Sequence, residues 1–356
     1  MPNRINILVD KIVEQQLDAF IVSRSPNIRY FTNSIGGSYL VVVPGENPLL
    51  LVSALDENVA RDQARFCIVE NFTPSGLLNR LAEILRGGHC RNIGFDDLSL
   101  QFLERLGKRI PEAVFTQNQE IIWGQRKVKD VAEIRIMTEA GRLTDLALEA
   151  LREELSVGVT EHQIAAKASF AMMRGGAEAH AFEFTVGSGP RSAYPHASVS
   201  DRKIARGDFV VVDIGALYKG YCSDITRTFV AGKPDATKTR IYETVHRSHD
   251  AAYDEMKIGA SCKEVDTVSR RIIEEAGYGA QYIHSLGHGV GLEIHEPPSV
   301  SQRSTEMLEA GNVVSDEPGI YIHGDGGVRI EDTVLITVRG PRRLTDFPRG
   351  LMDSVF

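Results

Sequence analysis

The stretch 209–226, FVVVDIGALYKGYCSDIT, constrains this chain more than any other. An apolar run ends in a carboxylate, Asp213, a glycine-rich reversal follows, and a second carboxylate, Asp224, comes after it. Runs rich in Val and Ile and bounded by glycines read as the strands of a hairpin. If the two aspartates face each other, the turn centres on Tyr218 and Lys219, with Gly220 beside it and Gly215 on the other arm. A second hairpin repeats the arrangement. Pairing Glu317 with Glu331 puts its turn at Gly324, inside His323-Gly324-Asp325-Gly326-Gly327, the strongest turn signal in the sequence. Two hairpins that each carry two acids point to one site holding four carboxylates. Four carboxylates cannot share a site at neutral pH without positive charge to offset their repulsion, and divalent metal is the simplest source.

A length of 356 residues favours two domains. Residues 1–125 read as strands alternating with helices, a small α/β domain. Its helical stripe over 3–16 is Ile5, Leu8, Val9, Ile12 and Val13. A strand at 18–22 follows, then a hairpin of 39–43 and 49–52 around Pro44-Gly45-Glu46-Asn47. Helices are expected at 56–65, 74–86 and 99–106, and a strand at 92–95. No cluster of ionisable side chains here has metal or acid–base spacing. His89 and Cys90, just after Gly87-Gly88, read as a solvated loop pair.

The boundary falls at polar Lys127, Lys129 and Asp130. A long helical pattern then runs over 132–155 through Ile136, Ala140, Leu143, Ala147 and Leu151, and Gly158 stops it. Thr160-Glu161 opens a second helix that ends before Gly175-Gly176. A like pair is expected at 238–256 and 263–276. The interval from Gly158 to Gly259 equals that from Gly176 to Gly277. Each helix pair precedes strand-like segments with an acidic hairpin. Residues 126–356 therefore read as a duplicated α+β domain with its site between the halves.

Composition narrows the function. The net charge of −8, without a concentrated basic run, excludes nucleic acid as the expected partner. Cys67, Cys90, Cys222 and Cys262 are scattered with no CxxC spacing, which argues for a reducing compartment and against a thiolate zinc site. No apolar run approaches the roughly 20 residues of a membrane span. The start, MPNRINILVDKIVEQQ, carries charges throughout, unlike a signal peptide. A cytoplasmic protein with no membrane partner is expected.

The segment 282–298, YIHSLGHGVGLEIHEPP, supplies histidine. His288 lies between Gly287 and Gly289, small neighbours that let the backbone approach whatever the imidazole contacts. Alone it reads as a core histidine in a glycine-rich bend; beside four carboxylates it reads as a neutral donor to metal. Asp213, Asp224, His288, Glu317 and Glu331 are too many ligands for one catalytic zinc. They suit two ions ~3.5–4 Å apart, bridged by carboxylates and a water. Manganese, cobalt, iron and zinc all fit such oxygen-rich ligation.

The motifs VVDIGA, YCSDITRT, HSLGHGVGLEIHE, DEPGIY and VRIEDTVLIT resemble those of the pita-bread metallopeptidases. Within these the chain is most similar to the proline-specific branch, Xaa-Pro dipeptidase (prolidase) and aminopeptidase P. The resemblance runs from about Lys127 to the C-terminus, and a smaller N-terminal α/β domain fits that branch. It implies metal-dependent hydrolysis of Xaa-Pro bonds in di- or short peptides by a hydroxide held between two divalent ions. Asp213 would bind one ion, Asp224 and Glu331 would bridge both, and His288 and Glu317 would bind one each. Glu317 would also carry the proton to the leaving nitrogen. His196, in AYPHASVSDRK, and His295 would face the substrate and steady the developing oxyanion. Phe182 and Ile294 match positions of an apolar proline pocket. Arg329, two residues before Glu331, would stabilise the acidic cluster or contact substrate. Tyr221 would either bond a bridging carboxylate or simply pack. A homodimer is implied, with the N-terminal domain shaping one side of the cleft.

One position departs from the family. Its dipeptidases carry an arginine just after the HE-x-P segment, where it holds the dipeptide's free carboxylate. Here Ser299 stands at that position, and Arg303 is the nearest substitute. An arginine–carboxylate pair is a strong, oriented contact, so its loss keeps the aminopeptidase reading alive. A creatinase-like carbon–nitrogen hydrolase and a non-catalytic pita-bread binding protein are the remaining alternatives, and the five intact ligands argue against both. Asp316, beside Glu317, should point away from it on a regular strand.

Overall fold

A computed structural model describes residues 4–356. The chain divides into two compact units, Met1–Gln125 and Arg126–Phe356.

The first unit is a six-stranded mixed sheet in the order Ile68–Asn71, Leu49–Val52, Tyr39–Val42, Ala19–Val22, Asn92–Phe95, Val114–Gln117. The expected stripe forms the helix Arg4–Glu14 and buries Ile5, Leu8 and Ile12; Asn3 lies outside the described residues. The helix Ser25–Thr32 lies in a stretch to which the sequence pattern assigns no element, and Pro26 sits in its first turn. Proline is tolerated in a first helical turn, where its missing N–H would have no partner. The strands Ile68–Asn71 and Val114–Gln117 also escape the sequence pattern. Both lie at sheet edges, and neither has a buried residue. His89 and Cys90 do not form a solvated pair. His89 is exposed at φ 52°, while Cys90 is buried with its thiol 3.7 Å from the Asp18 carbonyl.

The second unit contains the expected duplication. Asp130 caps the helix Val131–Glu154 and Thr160 caps Glu161–Gly175, each with a capping box. Leu143, Ala147 and Leu151 of the first helix and Ile164, Ala168 and Met172 of the second pack on Val210, Val212 and Ile214. The helices Ala236–Glu255 and Cys262–Glu275 repeat this, with Ala252, Cys262 and Val265 packed on Val300, Val314 and Val334. Gly158, Gly176, Gly259 and Gly277 all take positive φ, which glycine adopts without a Cβ penalty.

The two acidic hairpins differ in how they meet expectation. In the first, Phe209–Ile214 pairs with Ile225–Val230, and Asp213 lies opposite Thr226 rather than Asp224. The turn falls on Lys219 and Gly220, at φ 47° and 83°, one residue later than expected. Positive φ at both positions matches the twist of a two-residue hairpin. The slip moves Asp213's partner by two residues, so both aspartates keep the same face. The second hairpin has the expected register. Gly319–Ile322 pairs with Gly326–Arg329 and Val313–Asp316 with Asp332–Thr337, all centred on Gly324.

Candidate metal centre

The two helix–strand halves direct their acids into one cavity of about 890 Å³. Asp213, Asp224, His288, Glu317 and Glu331 all line it. Ligand atoms of Asp224, His288 and Glu331 lie within 4.8 Å of one another. His288 Nε2 is 3.3 Å from Glu317 Oε1 and 3.8 Å from Asp224 Oδ2. Its Nδ1 lies 3.1 Å from the Gly289 carbonyl and donates to it, which directs Nε2 at the carboxylates. Glycine around His288 serves the backbone rather than the imidazole. A Cβ on Gly287 would overlap the Ser315 carbonyl, and one on Gly289 would overlap the carbonyls of Glu296 and Pro297.

The carboxylates are held from behind. Thr226 Oγ1 donates to Glu331 Oε2 at 2.5 Å, and Ser315 Oγ donates to Glu317 Oε1 at 3.1 Å. Arg329 Nη2 donates to Asp213 Oδ2 at 2.7 Å, so Arg329 serves the acidic cluster directly. Asp213 Oδ1 is buried and accepts no hydrogen bond among the described residues.

Charge is unbalanced here. Burial, then the neighbouring Asp213, pushes the Asp224 carboxyl well above its usual range, and burial with Asp224 does the same to Glu331. Burial also raises Asp213, against Arg329. Burial would raise Glu317 too, but the bond from His288 takes it down to about 2. Burial would lower His288, but Glu317 raises it to about 9. His288 and Arg329 thus face four carboxylates. A cation among them would stabilise every ionised form, and oxygen donors with one imidazole suit a hard or borderline divalent ion. The residues present fit such an ion.

The other expected residues divide. His196, His295, Phe182, Ile294, Arg329 and Ser299 line the cavity, whereas Arg303 does not and is exposed. The His295 and His288 ring centroids are 4.2 Å apart. Phe182 packs close to Gly215 beside the first hairpin. The buried Tyr221 hydroxyl donates to Glu133 Oε1 at 2.7 Å, on the helix Val131–Glu154.

His284 and Tyr321 were missed. His284 Nδ1 donates to the Ser285 carbonyl at 2.8 Å, which leaves Nε2 to accept from the Tyr321 hydroxyl at 2.8 Å. That hydroxyl accepts from Arg329 Nη1 at 2.9 Å. A relay therefore runs from His284 through Tyr321 and Arg329 to Asp213. Period two was the available signal, since Tyr321 shares the parity of Glu317.

This fold and acidic centre define a metallopeptidase. Residues 135–338 match the model of Metallopeptidase family M24, and residues 4–128 match the Creatinase/Prolidase N-terminal domain. The chain belongs to family M24 and has its pita-bread catalytic domain. It is 40% identical over 355 residues to a Xaa-Pro dipeptidase of Pyrococcus furiosus, covering 99% of this chain and 100% of that one. The crystal structure of the prolidase from Pyrococcus horikoshii OT3 superposes with a TM-score of 0.92 at 39% identity, covering 98% and 99% of the two chains. An X-Pro aminopeptidase from Thermotoga maritima gives 0.91 at 31% identity, covering 99% of each.

Proposed function

We propose that this enzyme hydrolyses Xaa-Pro dipeptides, using two divalent ions (Mn2+, Co2+, Zn2+ or Fe2+) held by Asp213, Asp224, His288, Glu317 and Glu331. The convergence of these five side chains in one cavity, with carboxylates in excess of protein cations, carries the reading. Whole-chain likeness to a Xaa-Pro dipeptidase gives the substrate class. Bound ions would supply the Lewis acidity that makes water nucleophilic at neutral pH. Glu317 accepts the proton of the attacking water and returns it to the proline nitrogen, which has no N–H and needs that proton to leave. His196 and His295, on the cavity wall, donate to the oxygen that turns negative. Phe182 and Ile294 give the pyrrolidine ring an apolar surface. Arg329 orients Asp213 and, through Tyr321, His284.

One observation favours a second reading, an aminopeptidase P acting on longer peptides. Among the described residues that line the cavity Arg329 is the sole Lys or Arg, and Asp213 already engages it. Ser299 offers no charge to a dipeptide's free carboxylate. Hydrolysis of an Xaa-Pro dipeptide beside an Xaa-Pro-Yaa tripeptide, with Mn2+ and with a chelator control, separates the two. Fast dipeptide cleavage is expected. Cleavage of the tripeptide alone would replace this reading with the second, and cleavage of neither would overturn both.

A cytoplasmic homodimer belongs to the same proposal. Four unpaired cysteines support a reducing compartment. Exposed Ile35, Leu55 and Phe66 of the first unit offer apolar surface to a second copy. Light scattering on the eluted protein should give twice the 39.2 kDa chain mass.

A further inference from the structure

Directly behind the metal-site acids lies a second buried acidic pair. Asp316 precedes Glu317, Asp332 follows Glu331, and Asp316 and Asp332 are partners across the strands Val313–Asp316 and Asp332–Thr337. Neighbouring residues on a strand point to opposite faces. Glu317 and Glu331 accordingly line the cavity, while Asp316 and Asp332 do not and are fully buried. Like charges opposite each other across a strand pair push the strands apart.

The cations that answer this repulsion are unevenly shared. Asp332 accepts from Arg227 Nη2 at 2.8 Å, from Thr345 Oγ1 at 2.9 Å and from Arg349 Nη1 at 3.2 Å, and it pairs with Arg343 Nε at 3.2 Å. Asp316 accepts no hydrogen bond from the described residues. The cation paired with it is His249, fully buried on the helix Ala236–Glu255; burial lifts the Asp316 carboxyl to about 7 against the pull of His249 and, less, of Arg343. His249 Nε2 lies 3.7 Å from Asp316 Oδ2 and 3.2 Å from Asp332 Oδ2, and Nδ1 lies 3.7 Å from Asp250 Oδ1. Burial would lower this imidazole, but Asp316, Asp250 and Asp332 raise it to about 9.

We propose that His249 is a positioning residue for the metal centre: its imidazolium holds Asp316 and Asp332 together and so sets the spacing at which Glu317 and Glu331 meet in the cavity. This rests on the metal site proposed above. The connection is short, since each aspartate is one peptide unit from a proposed ligand. Arg227 strengthens it, because Nη1 also donates to the Glu331 carbonyl at 2.5 Å. His249 itself touches no proposed ligand. The Asp316–Glu317 and Glu331–Asp332 peptides carry its effect to the centre.

The test is Mn2+ titration calorimetry on the full chain at pH 7, with circular dichroism and thermal unfolding to establish that each metal-free variant is folded. His249→Gln should weaken Mn2+ binding about 10- to 100-fold, as loss of an outer support does at other metal sites. The double variant H249Q/D316N, which removes the carboxylate that His249 balances, should recover affinity to within about threefold of wild type. A purely structural role would lower the unfolding temperature of H249Q and leave the Mn2+ affinity of its folded fraction at the wild-type value. That result would overturn the inference. If H249Q does not fold, the double variant decides: folded and tight supports it, folded and weak contradicts it. A wild type that takes up no Mn2+ would overturn the metal site itself, and this inference with it.

Discussion

Glu317 and Glu331 face the cavity, whereas Asp316 and Asp332, their immediate neighbours in the chain, face the helix Ala236–Glu255. Both faces bury acids, and they differ in what answers the charge. On the helix face burial would raise the Asp332 carboxyl, yet Arg227, His249 and Arg349 hold it far below its usual range. On the cavity face only His288 and Arg329 oppose four carboxylates, and Asp224 and Glu331 are pushed well above theirs. One strand pair thus carries a face where several cations answer Asp332, though burial still lifts Asp316 to about 7, and a face where four carboxylates meet two cations. A buried acidic pair by itself is no sign of a metal; the deficit of protein cations beside it is.

The largest effect should follow from the cavity face. Glu331→Ala or Asp213→Ala should lower Mn2+-dependent Xaa-Pro hydrolysis on the order of 10³-fold or more, in initial rates at saturating metal. Full activity in either variant would break the contrast at its functional end.

Next in size is a difference of sign. In metal-free protein at pH 7, Asp332→Asn should cost about 3–5 kcal/mol in urea unfolding, because it strips a buried ion cluster of its anion. Glu331→Gln should instead raise stability, by on the order of 1 kcal/mol, since a carboxyl raised in the fold destabilises it when ionised. Losses in both variants would mean that the two faces are balanced alike.

The pH dependence sharpens the helix face further. His249 is raised in the fold from an ordinary 6.5 to about 9, so its contribution is complete below about pH 6.5 and is lost as pH rises through about 9. The loss should reach on the order of 3 kcal/mol, and His249→Gln should flatten it. An unchanged slope in the variant would place the dependence elsewhere.

The smallest effect is expected of Tyr221→Phe. Its hydroxyl bonds Glu133 on the helix Val131–Glu154, so stability should fall by about 1–2 kcal/mol and kcat/KM should hold. A large loss of activity would return Tyr221 to the site.

How much of this was legible in the sequence depended on distance along the chain. The Gly324 turn was read correctly because glycine and aspartate supply that turn's chemistry locally. The first hairpin slipped because Lys219, not glycine, takes one of the left-handed positions, and no residue pattern announces that. The four acids and His288 were legible from the motifs that carry them. The relay of His284, Tyr321 and Arg329 was not, because its members come from three separate segments. Tyr221 sits beside Asp224's segment yet bonds a residue 88 positions away. His249 is less visible still. It lies mid-helix among polar neighbours, and only the packing of that helix brings it to Asp316, 67 positions on.

The central claim is that the cavity face takes the divalent charge that the chain withholds. Its most direct test is metal analysis after equilibrium dialysis against Mn2+, comparing wild type with Glu331→Gln. Two equivalents per chain in wild type, and one or none in the variant, is the predicted result. A wild type without Mn2+, or a variant that keeps both equivalents, would contradict it.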